Sequence, residues 1–428
     1  MLGTLLFVSF FLLLVIGTPI AVCLGSSSIL AMLFDGAGRP LDAIMTTLPR
    51  IVSSSTSKFV LMAIPFFILG GNIMERAGIS ERLINLAQTC VGHMKGGLIV
   101  VCVGVACFFA AISGSGPATV AALGMILIPA MVNAGYKSGF SSALMSSAGA
   151  IGVIIPPSIT FVVYGSIADT SIGTLFIAGI VPGLLVGLAL IATALWIGRK
   201  ENIELIPKST NLMRWNALKD AFWGLMMPGI ILGGIYGGIF TPTEAAAVSV
   251  VYGLFVGFFI YRTLKVKDLY GIFVDSASLT AVIMFITAAA SLFAYILTRS
   301  RLDIAISHGL IDLSGGNVII FLLIVNFILL VAGCFLDSTS ALFIFTPLFI
   351  PVALALNINL VLFGVVMIVN LAIGLIPPPV GANLFVGCGV GRIDLKTMSV
   401  AVLPFVLSCL VILLLVTYIP AISLFLVK

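Results

Sequence analysis

Two short stretches of this chain place polar chemistry inside otherwise apolar sequence: Ser113-Gly114-Ser115-Gly116-Pro117 and Asp337-Ser338-Thr339-Ser340. Each precedes a stretch interrupted by Gly and Pro, Gly149–Ser158 in the first case and Gly374–Asn383 in the second. Proline removes a backbone donor and glycine weakens a helix, so both interrupted stretches release carbonyl oxygens. With the hydroxyls, and one carboxylate in the second cluster, these are hard oxygen ligands of the kind that suit a small hard cation. The expected chemistry is one Na⁺ site in each half of the chain, each formed where a polar knot meets an interrupted stretch.

Asp337 is the most exceptional charge. A carboxylate at the middle of a spanning helix costs roughly 2.5–3.5 kcal/mol on insertion scales, so an intramembrane acid reads as functional, against the plainer alternative of a solvated acid at a hairpin tip. Glu244 needs no such role, because Thr241-Pro242-Thr243-Glu244 has the spacing of a capping box. Catalytic signatures are missing. The sequence holds no G-x-x-x-x-G-K-[ST] and no H-E-x-x-H, and Gly114-Ser115-Gly116 is not a nucleophile elbow, so an enzyme is not expected.

The elements that must position these clusters follow from composition. Of 428 residues, 61% are apolar and 8% are charged, against roughly 25% charged in a soluble domain. That excludes an ordinary water-soluble fold. Lys+Arg 20 against Asp+Glu 15 gives no basic surface dense enough for nucleic acid. A spanning helix needs about 20 apolar residues, so the chain holds on the order of twelve hydrophobic segments and reads as an all-α polytopic membrane protein in a lipid bilayer. Leu5–Ile16 and Leu403–Val416 lack the alternation of a transmembrane β-barrel. No Lys or Arg precedes Arg39, so Leu2–Gly17 reads as a retained span rather than a signal peptide.

An internal repeat organises the segments. Ala150-Ile151-Gly152 recurs as Ala372-Ile373-Gly374, Pro156-Pro157 as Pro378-Pro379, Pro129 as Pro351 and Pro182 as Pro404, each pair 222 residues apart; Ser115 then stands opposite Asp337. Residues 1–198 and 221–428 therefore read as two copies joined by a polar linker, 199–220. The first copy is expected to hold a hairpin over about 96–133 and an interrupted helix over about 138–168; the second, a hairpin over about 317–356 and an interrupted helix over about 359–391. If neither hairpin adds a net crossing, each copy crosses five times, and an odd number inverts the second relative to the first. The positive-inside rule agrees. With the N-terminus outside, fourteen Lys or Arg residues fall inside, Arg76, Lys95, Lys137 and Lys200 among them, and six fall outside: Arg39, Arg50, Lys58, Arg299, Arg301 and Lys428.

The residues resemble a known family over essentially the whole chain: the large membrane subunit, of DctM or SiaM type, of tripartite ATP-independent periplasmic (TRAP) transporters. The resemblance is carried by Phe108–Ala122 (FFAAISGSGPATVAA), Ser146–Ser158 (SSAGAIGVIIPPS), Phe240–Ala247 (FTPTEAAA) and Ala372–Asn383 (AIGLIPPPVGAN). It implies a Na⁺-driven symporter of a small carboxylate (sialic acid, a C4-dicarboxylate or a sugar acid) in a bacterial inner membrane, so that the outer side on which the positive residues place the N-terminus is the periplasm. It also implies a small four-helix membrane partner, a periplasmic substrate-binding protein and an elevator mechanism. Carried over by motif, Ser113, Ser115, Gly152 and Pro156 belong to one Na⁺ site and Asp337, Thr339, Gly374 and Pro377 to the other, with Ser158, Thr160 and Asn383 contacting substrate. A stand-alone Na⁺-coupled carrier and a channel are the alternatives that the residues leave open.

Overall fold

The computed structural model describes residues 2–35, 41–199 and 207–427; Arg39, Lys200 and Lys428, counted above, lie outside them. Among the described residues every element is helical. Among the same described residues, nine helices are long and apolar enough to cross a membrane, or ten if the bent pair Ser138–Ile154 and Ile159–Ala168 is one span.

The central elements form where the sequence expects irregular backbone. A first hairpin joins helices Gly97–Ser113 and Gly116–Asn133. Its turn is made by Gly114 at φ +61°, which glycine adopts without a Cβ clash, and Ser115 in an extended conformation. Pro117 then sits in the first turn of the second helix, where its missing N–H costs nothing. A first broken span follows, as Ser138–Gly149, Ile151–Ile154 and Ile159–Ala168. The second hairpin is Val318–Phe335 with Ser338–Ala355, and the second broken span is Leu360–Gly374 with Ala382–Gly391. Elements 222 residues apart correspond closely. Helices Gly116–Asn133 and Ser338–Ala355 have 18 residues each, the Pro156-Pro157 and Pro378-Pro379 peptides are both cis, and Gly135 and Asn357 both have positive φ.

One element lies outside the expected set. Leu41–Thr56 is a helix, and it leads through Ser57-Lys58 into Phe59–Met62 and Ala63–Arg76. The matching stretch of the second half, Val266–Arg299, is one unbroken helix of 34 residues. A low apolar content and Pro49 hide Leu41–Thr56 from a search for spanning segments. The capping box at Thr241 forms as its spacing predicts, with Thr241 N donating to Glu244 Oε2 at 2.8 Å and Glu244 N donating to Thr241 Oγ1 at 3.3 Å.

The halves interlock instead of standing side by side. Pro242–Phe255 packs on Ala63–Arg76, and Val266–Arg299 packs on Ile20–Asp35. At the centre, Ala382–Gly391 packs on both Gly116–Asn133 and Ser138–Gly149, while Ile159–Ala168 packs on Ser338–Ala355. Small residues make these approaches possible. A Cβ on Gly364 would stand 2.3 Å from the Tyr164 ring, whose hydroxyl donates to Leu360 O at 2.8 Å. Long stretches of the two broken spans are enclosed: Phe140–Gly149 and Leu362–Gly374 are buried throughout.

Candidate functional site

The first polar knot meets the first broken span, as its residue types predict. Built on Gly152, a Cβ would stand 2.8 Å from Ser115 O and 2.7 Å from Thr119 Oγ1, so only glycine lets the backbone come this close. Thr119 Oγ1 donates to Ser115 O at 2.7 Å, and Ser113 Oγ donates to the same carbonyl at 3.4 Å. Gly114 lies against the Pro157 carbonyl and Ser158 Cα. Ser113 and Ser115 are half-buried and Pro156 is buried. Three of the expected residues, Ser113, Ser115 and Gly152, thus meet in one cluster of hydroxyls and carbonyls, while it is the carbonyl of Pro157, not the expected Pro156, that lies against Gly114.

Ser158 and Thr160, expected to touch substrate, are turned inward here. The break after Ile154 frees Val153 O, and both hydroxyls cap it: Ser158 Oγ at 2.6 Å and Thr160 Oγ1 at 3.2 Å, with the two oxygens 2.6 Å apart. Both residues are enclosed, at 1% and 4% exposure. A redundant cap predicts a non-additive pair of substitutions. Ser158→Ala or Thr160→Ala alone is expected to lower stability by well under 1 kcal/mol, because the other hydroxyl still reaches the carbonyl. The double variant leaves it unpaired and is expected to cost about 1–3 kcal/mol. Thermal unfolding of the four proteins in one detergent checks this; strict additivity would exclude the shared cap.

In the second half, hairpin and broken span meet through backbone. Gly381 N donates to Cys334 O at 2.9 Å, and Gly333 and Gly374 approach so closely that a Cβ on either would stand 2.9 or 2.8 Å from the other's Cα. Gly381, at φ +50°, lies beside the carbonyl oxygens of both Leu375 and Pro377, each 2.8 Å from its would-be Cβ. Asp337 is the N-cap of Ser338–Ala355: its Oδ2 accepts from Ser340 N at 3.0 Å and its Oδ1 from the Ser340 hydroxyl. Among the described residues both of its hydrogen bonds stay in its own first turn. Asp337 is exposed, with Thr339 and Pro377 half-buried and Gly374 buried. Its carboxylate is thus held by its own first turn at an exposed position.

Asn383 joins the two halves. Its Nδ2 donates to Ser146 O at 3.2 Å, close to the point where the helix ladder shortens and Ala150 N bonds Ser147 O. The side chain fills the space beside Gly116 and Gly149, since a Cβ on Gly116 would meet Asn383 Oδ1 at 2.8 Å and one on Gly149 would meet Nδ2 at 3.3 Å. Asn383 Oδ1 and Ser146 Oγ are buried without a partner among the described residues, so the junction of first hairpin, first broken span and second broken span has unused acceptor capacity. Ser146, Thr119 and Gly333 were not among the expected residues. Their setting inside the quoted motifs and apolar runs was readable, but what they touch was not.

The family described as the tripartite ATP-independent periplasmic transporter, DctM component, matches residues 7–422. The chain belongs to this family. A DctM component is part of a transporter, not an enzyme. Among DctM relatives, the isethionate TRAP transporter permease protein DctMQ of Oleidesulfovibrio alaskensis is 45% identical over 98% of this chain, which spans 65% of that longer protein. The C4-dicarboxylate TRAP transporter large permease protein DctM of Pseudomonas aeruginosa is 44% identical over 90% of this chain and 89% of its own length. The sialic acid TRAP transporter large permease protein SiaM of Vibrio cholerae is 39% identical over 86% of each chain. In fold, the DctM chain is similar to the YdaH transporter of Alcanivorax borkumensis, with a TM-score of 0.64 at 16% identity over 89% of each chain. MtrF of Neisseria gonorrhoeae gives 0.58 at 14% identity over 90% of this chain and 85% of its own.

Proposed function

We propose that this DctM chain is the large membrane subunit of a Na⁺-coupled importer for a small organic acid in a bacterial inner membrane, working by an elevator mechanism. The observation that carries the reading is the meeting of a hairpin with a broken span in each half, through hydroxyls and carbonyls in the first and through backbone in the second. Two inverted repeats, 1–198 and 221–428 with linker 199–220, account for the matched elements at an offset of 222.

In this reading Ser113, Ser115, Gly152 and Pro156 hold one Na⁺, and Asp337, Thr339, Gly374 and Pro377 hold the other. The hairpins and broken spans move together, tied across the halves by Asn383, against a scaffold of the interlocked outer helices. Ser158 and Thr160 fix the first broken span beside the substrate path. Relatives named for isethionate, C4-dicarboxylates and sialic acid put a carboxylate or sulfonate among the substrates. The part of DctMQ that this chain does not span has room for a small membrane subunit, which supports a small four-helix partner. A periplasmic binding protein would deliver the substrate to the side on which the N-terminus lies.

Reconstitution tests this. Proteoliposomes holding this chain and its small partner are expected to accumulate labelled acid only when an inward Na⁺ gradient and the binding protein are both supplied. Undiminished uptake with K⁺ replacing Na⁺ would exclude the coupling, and robust uptake by the chain alone would favour a stand-alone carrier.

A further inference from the structure

A cavity of about 210 Å³ opens where four elements from both halves meet: the end of the Leu41–Thr56 arm, the end of the first broken span, the middle of Val266–Arg299 and the second hairpin. Among the described residues its polar lining is Ser55, Ser166, Thr287, Ser291 and one charge, Lys58, with no acid. Lys58 Nζ crosses the seam to donate to Ser166 O at 2.6 Å. An ammonium has three N–H donors, so two are free to serve a ligand in the cavity.

The backbone is arranged to bring this charge there. Lys58 sits at the interruption between Leu41–Thr56 and Phe59–Met62, whereas the second half runs unbroken through the matching residue, Thr280. Lys58 is exposed, and its head reaches a carbonyl on a different element at the mouth of the cavity. Ser55, Thr287 and Ser291 already donate to carbonyls of their own helices, so the Lys58 ammonium, with no acid beside it in the lining among the described residues, is the donor left for an anion. The volume is below the usual 300–1,000 Å³ of drug-sized pockets, which suits a compact acid of a few carbons.

We infer that Lys58 receives the anionic group of the substrate, a small carboxylate or sulfonate, at the seam between the fixed and the moving helices. This rests on the import reading above. The test uses the full system, this chain with its small subunit and binding protein, and three labelled probes: succinate, isethionate and N-acetylneuraminate. Whichever probe wild type takes up is then titrated directly onto the purified membrane complex. Lys58→Gln is expected to weaken its binding at least about tenfold, the loss of a charge-assisted hydrogen bond, and Lys58→Arg to retain most of the affinity. In wild type the same acid is expected to protect Lys58 from acetylation by an amine-reactive reagent, read by peptide mass spectrometry; this arm needs no variant to fold. Unchanged affinity in Lys58→Gln with slower uptake would make Lys58 a latch to Ser166 and overturn the inference, as would uptake without protection. Uptake of none of the three probes with Na⁺ and binding protein present would defeat the import reading itself.

Discussion

Replacing Gly374 by Ala is expected to abolish Na⁺-dependent uptake and to lower the thermal midpoint of the protein. The new Cβ would stand 2.8 Å from Gly333 Cα and 3.1 Å from Gly333 C, with Leu330 O at 3.5 Å. Its neighbours are backbone atoms of a helix, and no side chain can swing away to make room. The second hairpin and the second broken span must then separate by several tenths of an ångström. Overpacking of this kind costs about 1–3 kcal/mol in stability. The functional loss is expected to be larger, because a site built from carbonyls tolerates displacements of only about 0.5 Å. More than a tenfold fall in uptake is anticipated, with Gly333→Ala behaving the same way. Gly389→Ala is the control: it lies in the same broken span with nothing within 4 Å of its would-be Cβ, and alanine is the better helix former by about 1 kcal/mol. Wild-type uptake by Gly374→Ala at normal expression would show that this contact does not shape the site.

Loss of the Asp337 charge is expected to weaken Na⁺ binding at least about fivefold. The carboxylate both caps a helix and presents negative charge, and the choice of substitution separates the two roles. Asn and Ser cap as well as Asp, so Asp337→Asn and Asp337→Ser keep the turn while removing the charge. The Ser variant also reproduces the residue that the first half carries at the matching position, Ser115. At about 4 Å a unit charge pair is worth ~1 kcal/mol under full water screening and ~4 kcal/mol at the effective dielectric of a protein surface. Asp337 is exposed, which places the expectation toward the lower figure. Radiolabelled Na⁺ binding to the purified protein measures it. Equal affinity and stoichiometry in wild type and Asp337→Asn would leave Asp337 as a cap and nothing more.

Na⁺ coupling could supply the energy for accumulation without ATP. A tenfold gradient contributes about 1.4 kcal/mol per ion, and one net positive charge moving inward through 100 mV contributes about 2.3 kcal/mol. Two Na⁺ moving with a monoanion would supply roughly 5 kcal/mol, enough in principle for more than a thousandfold accumulation.

The features readable from sequence are those settled by local backbone chemistry. Pro156-Pro157 and Pro378-Pro379 break a helix wherever they stand, Gly114 supplies a left-handed turn, and Thr241 with Glu244 closes its own cap. Composition required a membrane, and the shared offset of 222 marked which segments should correspond. Helix Leu41–Thr56 escaped because neither its apolar content nor its internal Pro49 advertises a span. Asp337 was legible as exceptional, yet whether it would be enclosed or an exposed cap was decided by where the hairpin tip came to rest.

What only the tertiary structure decided is which residues meet across large separations. Asn383 reaches Ser146, Lys58 reaches Ser166, and Gly333 lies on Gly374. Each contact depends on the relative placement of whole helices, which a glycine or asparagine permits but does not specify. The sequence alone determined the kind of ligand each half could offer, oxygen atoms released by broken helices. The interlocking of the halves determined which backbone oxygens are already used across them, as Ser146 O is by Asn383. A carbonyl's partner is a matter of distance and direction, and packing sets both.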